Sequence, residues 1–502
     1  MANLAPFPGS DRVADDVKLG VAKFIERQNQ PFTEDLRTEY GELDIEEELD
    51  YVLEFATEDV NGQIAKEEHN QRDIAGPYSL RSAWNERLDG FTRYGKSGTF
   101  NTPIDVHRAS IANLEPTWPK ITPASLETSA DALPKTTQRG LPYWSNQPES
   151  DPQYLELAKV IADPLPFVPG WRGQPRSRTE TSQRGLWISP RHVAILEGRV
   201  VLPLQQAAAS SGRPEFAAWG TVDQLRTVMR DAVKLSSDLN LPMYSTDFSG
   251  FDASMDATFV THMLEFAWSR AKRNRLLDTQ LEVVYRQWFE GLITLERYYE
   301  IAGGIKSGMR GTSLIGTLGH QYSWHVVAQE VGAKILFVTT LGDDGVTILD
   351  KPIPLDEIAD VMKQMLGLTL NETKTSEGIG ECHYLQYLFD EENDAVRSLV
   401  RVANGVMRRE RRPGAGWSRA LRIVRALSQL QNAERHPNFV KMCEWFKPRE
   451  EYLSRYSVQQ IFQMAGDVSK QESLLGLAGF EHGRARLRAL PKSYTAQVID
   501  SI

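Results

Sequence analysis

Apolar and polar positions follow two different periods along the chain. Residues 45–56, IEEELDYVLEFA, place Ile45, Leu49 and Leu53 at near-helical spacing among acidic residues, which predicts an amphipathic helix in an N-terminal extension. Two further apolar stripes predict helices, one made of Met255, Phe259, Met263 and Phe266 and the other of Leu314, Leu318, Tyr322 and Val326. From about residue 215 onward, helices and short β-rich runs alternate.

The composition is that of a large folded protein. The chain has 502 residues, of which 41% are hydrophobic and 25% charged, and this excludes a disordered tail and a disulfide-stapled miniprotein. It contains two cysteines, Cys382 and Cys443, which are too few for a four-thiolate metal site and are typical of a reducing compartment. We find no apolar run near the roughly 18 residues of a membrane helix, and no signal peptide. We therefore expect a soluble, intracellular protein.

The net charge of −10 argues at first against a nucleic-acid partner. However, residues 1–70 hold 18 acidic and 6 basic residues, a net charge of −12, so the rest of the chain carries a net +2. Between Arg397 and Arg425 there are nine arginines and one acid, Glu410. We expect this stretch to face phosphates, and a solvated helical face is the alternative.

Two carboxylates lie close together in YSTDFSGFD, residues 244–252. Met243 to Phe248 is predicted to form a short strand, with a turn after it and Asp252 as the N-cap of the following helix. Asp247 at the strand end and Asp252 one turn away could share a cation and contact a ligand. The alternative is that Asp252 is only a helix cap.

A second acidic pair lies in ILFVTTLGDDGVTIL, residues 335–349, where two β-rich runs flank Asp343 and Asp344. This pattern predicts a hairpin. Like charges at a tight turn repel each other, and a divalent ion would relieve that repulsion. The alternative is that the tip contains turn residues and nothing more.

A glycine-rich loop with Lys306 and Arg310 precedes the second apolar stripe, in GGIKSGMRGTSLIGTLGHQ, residues 303–321. Glycines let a backbone approach a ligand closely. By itself such a loop is common and nonspecific.

Together, the order and spacing of these stretches resemble motifs A, B and C of viral RNA-dependent RNA polymerases, in DFSGFD, SGMRGT and LGDDG. LGLTLNETKT (366–375) resembles motif D, ECHYLQYLF (381–389) motif E, and QPRSRTETSQRGLWISPR (174–191) the basic motif F. The resemblance covers roughly residues 174–390. It is greatest to polymerases of double-stranded RNA viruses, picobirnaviruses first and partitiviruses second.

The resemblance implies an α+β right-hand polymerase whose palm is a small antiparallel sheet backed by helices. The implied divisions are an acidic extension (1–70), fingers (71–240, with 253–305), palm (241–252 and 306–395), and a thumb with the C-terminal segment (396–502). The implied task is template-directed synthesis that transcribes and replicates a double-stranded RNA genome.

The resemblance also assigns roles to matching residues. Asp247 and Asp343 would hold two Mg²⁺ ions, for which Mn²⁺ could substitute, and Asp344 would be a supporting ligand. Lys374 would protonate the pyrophosphate. The predicted nucleotide-binding residues are Asp252, which would read the ribose 2′-hydroxyl, Ser307, Gly308 and Thr312, and Arg176, Arg178 and Arg184, one of which would clamp the triphosphate. The predicted RNA contacts are Arg401, Arg408, Arg409, Arg411 and Arg412.

The implied partners are template and product RNA, nucleoside triphosphates and a viral capsid protein, with no membrane. The implied location is the host cytoplasm, inside the virion or core particle. We further hypothesise that the acidic extension bridges fingers and thumb or docks on a basic partner such as capsid protein.

One departure concerns motif B. Many relatives have Asn four and eight residues after the motif B Thr, whereas this chain has Gly316 and His320. The usual Asp and Asn pair that checks the ribose is therefore incomplete.

Three other functions compete with the polymerase interpretation. Residues 90–97, GFTRYGKS, match the P-loop pattern of an NTPase, but the preceding residues lack a strand pattern and the following ones are broken by Gly98 and Pro103. A reverse transcriptase shares the palm. A noncatalytic RNA-binding packaging protein would use the arginine-rich stretch alone.

Overall fold

A computed structural model of the chain describes residues 3–36, 40, 43–96, 98–135, 137–410, 416–466 and 487–502. The chain forms two compact units. Unit 1 contains Met1–Gln30, Ala83–Trp171 and Gly185–Leu385, and unit 2 contains Pro31–Ser82, Arg172–Arg184 and Gln386–Ile502. The acidic extension is therefore divided, with its first 30 residues in unit 1 and the rest in unit 2.

The described helices, in chain order, are α1 (Asp15–Asn29), α2 (Ile45–Ala56), α3 (Gly62–Ile74), α4 (Trp84–Thr92), α5 (Ile104–Leu114), α6 (Leu126–Asp131), α7 (Asp151–Lys159), α8 (Arg191–Ser210), α9 (Val222–Leu239), α10 (Phe251–Ser254), α11 (Ala257–Ser269), α12 (Arg275–Trp288), α13 (Thr312–Glu330), α14 (Leu355–Leu366), α15 (Leu399–Met407), α16 (Arg419–Leu430), α17 (Phe439–Phe446), α18 (Val458–Met464) and α19 (Tyr494–Ser501). The strands are β1 (Val168–Pro175), β2 (Thr181–Ile188), β3 (Met243–Thr246), β4 (Leu292–Ile293), β5 (Tyr298–Tyr299), β6 (Ile335–Leu341), β7 (Asp344–Leu349), β8 (Ser376–Gly378), β9 (Glu381–Tyr384) and β10 (Tyr387–Asp390).

The central sheet of unit 1 has the strand order β6-β7-β3-β8, and its strands are antiparallel. The predicted hairpin is present as β6 and β7, and Gly342 at its tip has a φ of 63°, a left-handed conformation that glycine adopts without strain. In the register, Thr246 pairs with Gly345, and Gly345 also pairs with Thr340. The last residue of β3 therefore lies beside the hairpin tip.

One local prediction is wrong. Asp252 is not the N-cap of a long helix but lies inside the short helix α10, which begins after Gly250. The chain becomes extended at Met255, and the Asp256 side chain accepts a hydrogen bond from the Phe259 amide and caps α11. Two caps close together in sequence divide the predicted helix into two.

Helix α13 is the central helix of unit 1 and contacts β6, α5, α11 and α14. It is apolar on most faces, with Leu314, Leu318, Tyr322 and Val326 all buried in the unit 1 core. Such a helix is stable only when it is surrounded by protein. Its N-terminal end carries the glycine-rich loop toward the sheet edge where β3 ends.

Unit 2 has its own helical core. The apolar stripe of α2, with Ile45, Leu49 and Val52, packs with residues from α15 to α19 in one hydrophobic cluster. The predicted helix over residues 45–56 is confirmed with these bounds. This helix is not a surface extension, because its apolar face is part of the unit 2 core.

Both cysteines are buried free thiols. Among the residues that the structure describes, none of the helices combines the length and apolar character needed to cross a membrane.

Candidate active site

Three acidic residues from two motifs meet at one end of the central sheet. Asp247 directly follows β3, Asp343 lies at the tip of the β6 and β7 hairpin, and Asp344 is the first residue of β7. The register of Thr246 with Gly345 brings these carboxyl-bearing segments side by side. Asp343 and Asp344 are partly accessible.

Asp247 is held by the segment that resembles motif D. Its carbonyl oxygen accepts hydrogen bonds from the Asn371 amide (2.8 Å) and the Thr375 hydroxyl (3.1 Å). The Lys374 Nζ lies 3.4 Å from Asp247 Oδ2, and the Asn371 side chain also bonds to the carboxylate. Sequence reasoning missed Asn371 and Thr375. Their only signal is their place beside Lys374 in LNETKT.

The surroundings of Asp247 disfavour the charged form of its carboxyl group. Its side chain is 16% exposed. Burial raises the pKa of Asp247 above its usual value, the negative charge of Asp343 raises it further, and Lys374 partly offsets both effects. A cation close to both aspartates would remove this repulsion.

The aspartates fit a divalent metal in their chemistry, because carboxylate oxygens are the ligands that Mg²⁺ prefers and their mutual repulsion is what a cation relieves. Within the described residues, no group of three or more His, Cys, Asp or Glu side chains is already arranged to hold an ion. A cation bound by Asp247 and Asp343 would need further ligands, such as water or substrate phosphates.

The motif B loop is packed tightly against β2 and its own helix. The Ser307 hydroxyl donates to the Gly185 carbonyl (3.2 Å), and a Cβ at Gly308 would lie 1.3 Å from the Trp187 carbonyl oxygen. Only glycine fits at position 308. The Thr312 hydroxyl lies 2.6 Å from the Lys306 carbonyl oxygen, so its hydrogen is used inside the loop.

Lys306 anchors this loop and was missed by sequence reasoning, which noted it only as a loop cation. Its Nζ is buried and donates to the carbonyls of Trp288 (2.6 Å) and Gly303 (2.7 Å). Burial lowers the pKa of Lys306 to about 7. The side chain points into the protein, so it is not available to substrate.

The backbone of Asp252 is hydrogen-bonded to the motif B loop. Its carbonyl oxygen accepts from the Ile305 amide (2.7 Å), and the Gly304 amide donates to the Met255 carbonyl (2.8 Å). The α10 segment and the motif B loop are thereby joined, so the structure brings Asp252 and Ser307 into one region of unit 1.

The predicted triphosphate arginines lie on the β1 and β2 hairpin. Arg176, Arg178 and Arg184 are exposed and belong to unit 2. Arg178 Nη2 lies 3.7 Å from Asp73 Oδ1. Their role in nucleotide binding stays a prediction.

The predicted RNA-binding arginines differ in their exposure to solvent. Arg408 and Arg409 are only 4% and 7% exposed, and Arg408 bonds to Asp35, Glu46 and the Ala75 carbonyl. Burial against acidic partners argues against direct RNA contact by Arg408, and burial alone argues against it for Arg409. Arg401 is partly exposed and donates to Gln71 (3.0 Å). Arg411 and Arg412 lie outside the described residues.

The acidic extension supplies partners for basic residues of unit 2. Arg72 is buried between Glu46 (2.9 Å) and Asp50 (2.6 Å). Further pairs join Arg449 to Glu48 and Lys441 to Glu58. Several acids of the extension are therefore paired within unit 2.

The P-loop interpretation fails the structural test. Helix α4 (Trp84–Thr92) occupies the residues directly before the motif, where an NTPase needs a buried strand. After the motif, Thr99 to Pro103 have no helical structure, where an NTPase needs a helix. Ser97 lies outside the described residues.

Comparisons with known proteins agree with the geometry. A family model described as viral RNA-dependent RNA polymerase matches residues 115–404, more than half of the chain. The structure of the RNA-dependent RNA polymerase of a human picobirnavirus is similar with a TM-score of 0.82 and 20% identity, over 97% of this chain and 99% of that chain. Its insertion loop deletion mutant gives 0.79 and 20% over the same shares. The Sicinivirus 3Dpol polymerase gives 0.60 and 14%, over 84% of this chain and 94% of that one. No curated protein matches the chain. The predicted α+β right-hand fold is confirmed.

Proposed function

The chain belongs to the viral RNA-dependent RNA polymerases, and from that premise we propose that it transcribes and replicates a double-stranded RNA genome by two-metal nucleotidyl transfer. The observation that supports the mechanism is the meeting of Asp247, from the end of β3, with Asp343, at the hairpin tip.

We propose Asp247 and Asp343 as the metal ligands, with Asp344 in support. Two bound Mg²⁺ ions would activate the 3′-hydroxyl of the RNA and stabilise the negative charge on the leaving pyrophosphate. The protein's part is to hold the two carboxylates close together. The Asn371 and Thr375 bonds to Asp247 do this by holding both its backbone and its side chain.

Lys374 is the proposed proton donor to pyrophosphate. Its side chain is 66% exposed and its Nζ pairs with Asp247, so the side chain can turn toward a substrate phosphate.

Ribose selection is proposed for Asp252 with Ser307 and Thr312. Because the Thr312 hydroxyl hydrogen is used within the loop, its oxygen can only accept a hydrogen bond from the ribose. Asp252→Ala should therefore lower the preference for ribonucleotides over deoxyribonucleotides. An unchanged ratio of the two incorporation rates would remove Asp252 from this role.

The decisive test of the reaction is primed and unprimed synthesis on a defined RNA template, with Mg²⁺ or Mn²⁺. Asp343→Ala should lower incorporation by about 10³-fold or more, since a metal contributes several kcal/mol to catalysis. Asp360→Ala, at an exposed position of α14, is the matched control and should leave the rate unchanged. Full activity of Asp343→Ala would overturn the proposal.

We also propose that the polymerase acts in the host cytoplasm within the virion and contacts capsid protein. The exposed acids of α2, Glu47 and Glu54, are the candidate contacts, because they lie on the face of the helix away from the unit 2 core. Replacing both with Lys should weaken capsid association while RNA synthesis is preserved. Unchanged association would exclude this surface.

The assignment of fingers, palm and thumb follows the family. We propose residues 241–252 and 306–395 as the palm, 71–240 with 253–305 as fingers, and 396–502 as thumb. For residues 31–70, the hydrophobic core and ion pairs shared with residues 399–499 support a place in the thumb, in preference to a free bridge.

A further inference from the structure

His320 lies in α13 and is fully buried. Its Nε2 lies 2.9 Å from the Thr246 hydroxyl, and its Nδ1 lies 3.0 Å from the Gly342 carbonyl oxygen. Thr246 directly precedes Asp247, and Gly342 directly precedes Asp343. One imidazole therefore links the residues before the two proposed metal ligands.

The chemistry of the partners determines the tautomer. The Gly342 carbonyl can only accept, so Nδ1 must carry the hydrogen. Burial lowers the pKa of His320 to about 4, so the ring is neutral and Nε2 is an acceptor. The Thr246 hydroxyl must then donate to it. The link thus has one direction, from Thr246 through the ring to Gly342.

The surroundings form a slot for this ring. A Cβ at Gly345 would lie 2.5 Å from the ring carbon Cε1, so a side chain there would displace the imidazole. Phe248 packs edge-on against the ring at 4.9 Å between centroids. The histidine on the helix therefore requires glycine at position 345.

Helix α13 holds the Gly342 peptide from both sides. The Gly342 amide donates to the Thr317 hydroxyl (3.0 Å), and the Gly342 carbonyl accepts from His320. A Cβ at Gly316 would lie only 3.3 Å from the Gly342 Cα, so the glycine lets the helix approach this closely. Gly316 and His320 therefore both contribute to the close contact between α13 and the hairpin tip.

We infer that His320 is a positioning residue that sets the relative placement of Asp247 and Asp343 through Thr246 and Gly342, and thereby the affinity of the site for divalent metal. The inference rests on the proposed metal ligands. His320 itself is covered by protein and touches no substrate.

The best test changes Thr246, because valine has the same shape and lacks only the hydroxyl that donates to His320. Thr246→Val should weaken Mn²⁺ binding to the enzyme without RNA or nucleotide by about 10-fold, measured from the electron paramagnetic resonance of free Mn²⁺. The Mg²⁺ concentration for half-maximal synthesis should rise by a similar factor, while the KM for nucleotide at saturating Mg²⁺ stays the same. Thr246→Ser, which keeps the hydroxyl, should behave as wild type.

Thr347 provides a matched control. It is a buried threonine of the neighbouring strand β7 whose hydroxyl has no hydrogen-bond partner. Thr347→Val should leave Mn²⁺ binding unchanged. His320→Leu, which has neither a donor nor an acceptor, should reproduce the effect of Thr246→Val. The double variant should be no worse than the more affected single one, because both changes break the same link. If His320→Leu fails to fold, Thr246→Val and Thr347→Val still decide the question.

The results separate this inference from the proposed function. Wild-type Mn²⁺ affinity in Thr246→Val, or an equal loss in Thr347→Val, overturns the role of His320. If Asp343→Ala keeps full activity and full Mn²⁺ binding, the metal site itself is misplaced and the proposed function fails with it.

Discussion

Replacing Glu197 with Gln should change how the stability of unit 1 depends on pH. Glu197 is a buried residue of α8, and its Oε1 accepts a hydrogen bond from Trp288 Nε1 (2.8 Å). Burial raises the pKa of Glu197 from 4.5 to about 7, although bonds from Trp288 and from the Gly311 and Arg310 amides limit the rise. The residue lies against the start of α13, next to the motif B loop.

The magnitude follows from the pKa change. A move from 4.5 to about 7 corresponds to about 3 kcal/mol between the two protonation states. The folded state binds the proton more tightly, so between pH 4.5 and 7 it carries more protons than the unfolded state. Stability therefore falls as pH rises through this window, and the loss is complete above about pH 7. Glutamine has no such proton, so Glu197→Gln should gain up to about 3 kcal/mol relative to wild type between pH 4.5 and 8.

The assay is urea unfolding at pH 5, 6, 7 and 8, followed by tryptophan fluorescence, to which the adjacent Trp288 contributes. The relevant quantity is the difference in unfolding free energy between variant and wild type at each pH, because loss of packing or hydrogen bonds shifts all values equally. Glu282→Gln, at an exposed position of α12, is the control and should show no pH-dependent difference. A constant difference for Glu197→Gln across the range would refute the reasoning.

Three further changes test separate parts of the structure. Glu68→Ala should destabilise unit 2 by about 3–5 kcal/mol in urea unfolding, because this buried carboxylate accepts three hydrogen bonds at the start of α15, and a loss under 1 kcal/mol would contradict that. Gly308→Ala should abolish most RNA synthesis by forcing the loop away from the Trp187 carbonyl, while Gly90→Ala, which meets open space, should be active. Arg408→Ala should lower the stability of unit 2 by a similar 3–5 kcal/mol without changing the salt dependence of RNA binding, and a changed salt slope would restore it as an RNA contact.

Local patterns predicted local structure well. The helix over Ile45–Ala56 and the hairpin around Asp343 each depend on residues close together in sequence, where periodicity and turn chemistry dominate. The helix predicted from Asp252 failed for an equally local reason. Asp256 is a second N-cap, and the pattern of apolar residues continues across the break that it makes.

The positions of side chains relative to distant segments could not be predicted in this way. Asn371 and Thr375 hold Asp247 from more than a hundred residues away, and nothing in their own segment marks them as its partners. His320 is similar. The sequence showed a histidine where asparagine is common, which suggested an incomplete ribose check, and only the register of β3 with β7 shows that its ring connects Thr246 to Gly342.

The arginine-rich stretch shows why charge counted along a chain is an uncertain guide to an RNA surface. Arg422 is buried against Glu450, and Arg425 donates to the Gly405, Val406 and Arg408 carbonyls at the end of α15. Moving these guanidinium groups from their buried partners to a phosphate would cost too much free energy, because each move would leave an acid or a carbonyl unpaired. The same pairing explains the acidic extension, since Glu46 and Asp35 neutralise Arg408 inside unit 2. Part of the net charge of −12 in the first 70 residues is therefore an internal counter-charge. An RNA surface must be sought among arginines that no acid of the same unit covers.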